Sequence, residues 1–204
     1  MNTIASGDHS HAEGNNTTAS GATSHSEGNN TKAIGTASHT EGKGYTGTLS
    51  SVSTASGNNL ILTTISTIMD NLPFTLQVGD IVNYGSNYAK VTTINTSDGS
   101  MAITTDKELG VQTGNYINFV KGISYKSNAH SEGYLTAATE NYAHAEGYLS
   151  IASGTASHSE GNNTTALGNS AHAEGEFSWA LADVAHAEGA ETTAEGVYSH
   201  AEGY

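Results

Sequence analysis

A His-small-Glu-Gly core returns nine times in this 204-residue chain, and its spacing restricts the fold more than any other feature. The histidines are His11, His25 and His39, then His130, His144, His158, His172, His186 and His200. Within each run the interval is 14 residues without a slip. A short period held this strictly requires every unit to occupy an equivalent place in a stack, so the pattern predicts a solenoid.

The unit divides into halves of seven, as in Ser157-His158-Ser159-Glu160-Gly161-Asn162-Asn163 followed by Thr164-Thr165-Ala166-Leu167-Gly168. In each half a small residue stands two positions before Gly, as at Ala12 and Ala19. Alternation along a strand sends that residue to one side and its two neighbours to the other. Each half then reads as a five-residue strand plus a two-residue Gly/Asn turn. Two halves make a thin flattened coil filled by Ala, Ser and Thr. Helix is a poor reading, because Gly recurs every seven residues among Asn, Thr and Ser, all weak helix formers. The residue content alone would suggest disorder, and the strict period argues against it.

The alternation of Ser-x-Ala-x-Gly with Ala-x-Gly at this period resembles the head repeats of YadA-like trimeric autotransporter adhesins. The His-Ala-Glu-Gly version is similar to repeats of phage tail fibres and appendages. The resemblance covers roughly residues 2–43 and 128–204. It implies a left-handed parallel β-roll that trimerises side by side, with the residues flanking the central Ala turned to the trimer axis. Those positions are apolar in the family and are His and Glu here.

Three segments follow: β-roll repeats over 1–43, an inserted β-domain over 44–127, and β-roll repeats over 128–204. Both ends fall mid-unit, which fits a fragment of a longer fibre or a subunit that stacks end to end through open coil edges. Over 44–127 the composition shifts to Leu, Ile, Val and Tyr. Strands are expected at Leu60–Ile65, Asp80–Tyr84, Tyr88–Ile94, Met101–Thr105 and Tyr116–Val120, with a short helix allowed only over Ser66–Asn71. A Ser97-Asp98-Gly99 turn predicts a hairpin. The segment reads as a small antiparallel barrel or sandwich of five to seven strands. His39 and His130 are 91 residues apart, six and a half periods, so the stack is expected to restart after the insert. The fold class is all-β throughout.

Several function classes are disfavoured. Twenty acidic residues against six basic ones would repel a phosphate backbone, which excludes nucleic acid as the expected partner. No apolar run approaches the roughly 20 residues of a membrane-spanning helix. No basic-then-apolar leader is visible. There is no cysteine. Catalysis has no support: no phosphate loop appears, and the paired acids Glu188 and Glu191 have no expected cleft.

The repeats themselves carry the candidate chemistry. His and Glu flank one small residue, so both leave the coil on one face and stacked coils align them in columns about 4.8 Å apart per step. The preferred reading is a polar trimer seam in which those nine histidines pair with Glu13, Glu27, Glu41, Glu132, Glu146, Glu160, Glu174, Glu188 and Glu202 of neighbouring chains. Such pairing would raise the His pKa, lower the Glu pKa and favour mildly acidic to neutral solution. The competing reading gives the same nine histidines to a divalent metal, although no cofactor is required. A third leaves the columns solvated. His9 is out of phase and reads as an exposed turn residue. Phe177, Trp179, Tyr134, Tyr142, Tyr148 and Tyr198 interrupt the small-residue pattern, either packing between coils or chains or forming a receptor contact. Trp179, which replaces a Thr, and Phe177 are the candidates for the latter. The expected protein is extracellular, on a virion tail or a cell surface. It is a homotrimeric structural or adhesive segment with a glycan or protein receptor, or else an end-to-end filament subunit.

Overall fold

The computed structural model describes residues 2–63, 68–69, 72–73, 75–97 and 100–203. No helix occurs among the described residues, and the chain forms two compact units. One comprises Met1–Gly44 with Lys121–Tyr204, the other Tyr45–Val120.

The first unit is a parallel solenoid with two nine-stranded sheets. One sheet carries the repeated histidines: His11–Asn15, His25–Asn29, His39–Thr40, His130–Tyr134, His144–Tyr148, His158–Asn162, His172–Glu176, His186–Glu188 and His200–Glu202. The other is built from two-residue strands, from Ile4–Ala5 through Lys32–Ala33, Ile123–Ser124 and Ala137–Ala138 to Thr193–Ala194. Except across the insert, each strand pairs with the one 14 residues on, like with like: His144 opposite His158, Glu146 opposite Glu160, Gly147 opposite Gly161.

Each coil is as thin as its residues require. The small residue between His and Glu points inward and is fully buried at Ser26, Thr40, Ser131, Ala145, Ser159, Ala173 and Ala187. Facing it are the sheet alanines such as Ala138, Ala152, Ala166 and Ala180, also fully buried. Where hydroxyls enter this interior they pair with each other, as in Ser131 Oγ with Thr136 Oγ1 at 2.8 Å and Ser159 Oγ with Thr164 Oγ1 at 2.8 Å. Burial of a polar group without such a partner would be costly.

The corners differ from the expected Gly/Asn turns. A residue with φ between 53° and 61° recurs every seven positions, from His9 to Ala37 and from Asn128 to Tyr198. Only four of these sixteen are Asn. The rest include Thr23, Leu135, Tyr142, Phe177 and Val184. The left-handed conformation is imposed by the coil and not selected by the residue. The glycines serve a different purpose: a Cβ on Gly147 would lie 2.3 Å from the Gly161 carbonyl oxygen of the next coil.

The second unit is a closed six-stranded barrel in the order Ile81–Tyr84, Asn87–Ser97, Ser100–Thr105, Asn59–Leu62, Tyr45–Ser56, Tyr116–Lys121. Neighbours such as Ile81–Tyr84 and Asn87–Ser97 pair antiparallel. Leu49, Val52, Leu60, Leu62, Ile81, Val91, Ile103, Ile117 and Phe119 are each at most 1% exposed and form its core. Of the expected Ser97-Asp98-Gly99 turn, Asp98 and Gly99 lie outside the described residues, and the flanking strands pair from Ser97 opposite Ser100. Of the stretch allowed as a helix, residues 66, 67, 70 and 71 lie outside the described residues, while Ile68–Met69 pairs antiparallel with Leu72–Pro73.

Two expectations about the insert are corrected. Residues 121–127, read as part of it, belong to the solenoid unit, where Ile123–Ser124 pairs with Lys32–Ala33 on one side and Ala137–Ala138 on the other. The stack also does not restart. His39 donates its backbone N–H to Ala129 O at 2.9 Å, and His39 and His130 are paired residues of adjacent coils. The 91-residue interval is one coil of 14 plus 77 inserted residues, so the period is interrupted in sequence only.

Candidate functional site

The outer face of the histidine sheet is the most regular chemical surface on the molecule. With the central residue of each strand turned inward, His and Glu project together on the other side. The rings stack from His11 to His200 with centroids 4.7–4.9 Å apart and interplanar angles of 13° or less. This is the inter-strand spacing of the sheet transmitted to the side chains. The carboxylates of Glu13, Glu27, Glu41, Glu132, Glu146, Glu160, Glu174, Glu188 and Glu202 follow the same register.

In seven coils, from His11–Glu13 to His172–Glu174, the His approaches its own Glu without closing a hydrogen bond. The Nε2-to-Oε2 distances are 3.6 Å at His25–Glu27, 3.7 Å at His39–Glu41, 3.4 Å at His130–Glu132 and 3.7 Å at His158–Glu160. These exceed the hydrogen-bond range for a charge-assisted pair. The Nε2 atoms of His25, His39, His130, His144, His158, His172 and His186 are buried and make no hydrogen bond among the described residues. At the last coil the reach is across coils instead, with His200 Nε2 3.1 Å from Glu188 Oε1.

Donor atoms from successive coils therefore converge. Five groups have three ligand atoms within 4.8 Å of one another: Glu27/His39/Glu41, His130/Glu132/His144, Glu146/His158/Glu160, Glu160/His172/Glu174 and Glu174/His186/Glu188. His11, His25 and His200, which the sequence also offered, are in none of them.

Within the single chain, the resolved pKa shifts run opposite to those that pairing across a trimer seam would give. Burial, reinforced by His25, holds the His39 imidazole below its ordinary value against the pull of Glu27 and Glu132. Burial does the same at His130, helped by His144 and His39. Burial raises the Glu41 carboxyl, with Glu27 and Glu132 adding to it. Within one chain the columns crowd like beside like, and that repulsion with partial desolvation outweighs the His–Glu attraction.

The aromatic candidates separate. Tyr134 and Tyr148 stack between coils with centroids 5.0 Å apart, and Lys43 Nζ lies 5.1 Å from the Tyr134 ring centre. Phe177, Tyr142 and Tyr198 sit at left-handed corners and are exposed. Phe177 borders a pocket of about 370 Å³ with Glu176, Ala190 and Glu191. Trp179 begins a strand between Thr165 and Thr193 and is half-buried. His9 is an exposed corner residue with φ 56°. The corner positions were not legible in the sequence, since their residue types share no property, and only the seven-residue count from each Gly would have located them.

The family model described as YadA head domain repeat (2 copies) matches residues 1–24, 145–171 and 159–181. The last two matches begin 14 residues apart, one coil of the solenoid. No curated protein matches the sequence. Over residues 1–24 and 145–181 the coils are thus similar to YadA head domain repeats, a structural adhesin type.

Proposed function

We propose that these YadA-like head repeats form a segment of an extracellular, homotrimeric adhesive fibre, on a bacterial surface or a phage tail. The observation that supports this most directly is the in-register stack of nine coils, which gives a rod built from one repeated unit. The His/Glu face is the trimer seam. Its register is fixed to 14 residues in every coil, a regularity that a solvated face would not require, and a polar seam sets alignment more than it adds stability. The barrel of Tyr45–Val120 serves attachment, and three copies per particle raise the avidity of weak contacts. Phe177 and Trp179 supply a second contact for a glycan or protein receptor.

The native mass by light scattering tests the assembly. Three times the 20.9 kDa chain is expected. A monomer would overturn the trimer, and particles far larger would favour an end-to-end filament. Adherence of labelled protein to host cells tests the attachment. Removal of the barrel is expected to lower it strongly, and undiminished adherence would remove that role from the barrel.

A further inference from the structure

We propose that the His/Glu columns bind divalent transition-metal ions of the zinc, cobalt or nickel type, each ion held between two successive coils of one chain. The inference goes beyond the adhesive fibre and does not need the trimer, because all three protein donors come from a single chain.

The geometry at Glu146, His158 and Glu160 shows the argument. His158 Nε2 is buried and makes no hydrogen bond among the described residues. Glu160 Oε2 stands 3.7 Å from it, too far for direct pairing, and Glu146 approaches from the preceding coil. Donors around one zinc ion, bonded at about 2.0–2.2 Å, lie about 3.2–4.2 Å apart. The three ligand atoms here fall within 4.8 Å, so a small rotation of a Glu side chain closes the site. The reach of Glu188 to His200 at 3.1 Å shows that a glutamate of this column can engage the next coil's imidazole.

Ligand type selects the ion. Four groups offer one imidazole and two carboxylates and the fifth, His130/Glu132/His144, two imidazoles and one carboxylate; both sets suit zinc, cobalt and nickel, whereas magnesium and calcium prefer oxygen alone. The carboxylate column gains from a cation because its own charges repel. Three protein donors leave a fourth position for water or a group from outside the chain.

Site sharing limits the filling. Glu160 and Glu174 each belong to two groups, and dications one coil apart repel strongly. Groups that avoid both conflicts number about three per chain at most.

Equilibrium dialysis of metal-stripped protein against Zn²⁺, followed by elemental analysis, tests this. Uptake of about three Zn²⁺ per chain is expected, without comparable uptake of Mg²⁺. A variant with His39, His144, His158, His172 and His186 all changed to Gln is expected to retain none at the same free concentration. Equal uptake by a folded variant, equal uptake of Mg²⁺, or no uptake at all would overturn the proposal. Should the variant lose its β-sheet circular dichroism, the visible absorption of Co²⁺ on the unaltered protein decides. Intense d–d bands report imidazole–carboxylate coordination of low symmetry, and the weak spectrum of the hydrated ion overturns it. Mass measured in parallel keeps the outcomes separate, since a monomer that binds zinc contradicts only the trimer.

Discussion

His39 and His130 stack with ring centroids 4.8 Å apart and planes 8° from parallel, although the whole barrel lies between them in sequence. Gly44 and Gly122 meet at the splice, where a Cβ on Gly122 would lie 2.3 Å from Gly44 Cα. Joining them directly deletes residues 45–121 and leaves the 14-residue count unbroken from His39 onward. The shortened chain is expected to fold as a continuous solenoid with a single cooperative melt. Loss of β-sheet circular dichroism on deletion would show that the coils depend on the barrel.

The inter-coil glycines are held by close approach of backbones. A Cβ on Gly161 would lie 2.1 Å from Gly175 O, and its φ of 113° is strained for any L side chain. Gly161→Ala is therefore expected to destabilise by about 3 kcal/mol or more, since both overpacking and backbone strain act. In the barrel, Gly85 has φ 59° with nothing within 4 Å of an added Cβ. Gly85→Ala is expected to cost only about 1 kcal/mol. Urea unfolding of the two variants checks the contrast, and equal losses would remove the close-approach explanation.

The solenoid was legible because its signal is a count. A fixed interval predicts register whatever the residues are, and the small residues at Ser26, Ala145 and Ala166 name the interior directly. The segments illegible in the sequence are those that lack the count or the composition. Ile123–Ser124 occupies the place of a Thr-Ala or Lys-Ala strand, but Ser124 replaces Ala and Lys126 replaces Gly, so the motif vanishes. Tyr45–Ser56 is a 12-residue barrel strand that reads like a linker, because Ser, Thr and Gly dominate it and its buried apolar anchors are only Leu49 and Val52. The His and Glu columns were foreseeable from alternation. The pKa directions at His39, His130 and Glu41 were not, because burial is their largest cause and stacking places like beside like.

The corners offer a stability gain. Thr23 is exposed with φ 55°, a conformation that β-branched residues resist. Asn tolerates it, as at Asn128 with φ 55° in the equivalent corner two residues before a repeat His, and at Asn163 with φ 56° in the other corner of the coil. Thr23→Asn is expected to stabilise by about 0.5–1 kcal/mol, and Asn163→Thr to destabilise by a similar amount. Thermal melts at fixed pH check the opposite signs, and a shift of the same sign in both would exclude corner strain as the cause.

Lys32 gives the pH dependence a sign. It begins a short strand between Thr18 and Ile123, is 8% exposed, and burial lowers its pKa to about 8. The folded state disfavours the charged amine. Above the unfolded value of about 10.4 both states are neutral and there is no penalty. As pH falls from there toward 8, the unfolded chain takes up the proton first and stability declines, reaching its floor below the folded value. Below pH 8 the deficit is on the order of 3 kcal/mol, less whatever the buried aliphatic stem contributes. Lys32→Thr installs the residue found at Thr18 and Thr165, so it is expected to raise stability at pH 7 by about 1–3 kcal/mol. It is also expected to flatten the rise in stability between pH 8 and 10. Urea midpoints across that range check both effects, and a variant that keeps the rise would assign it to another group.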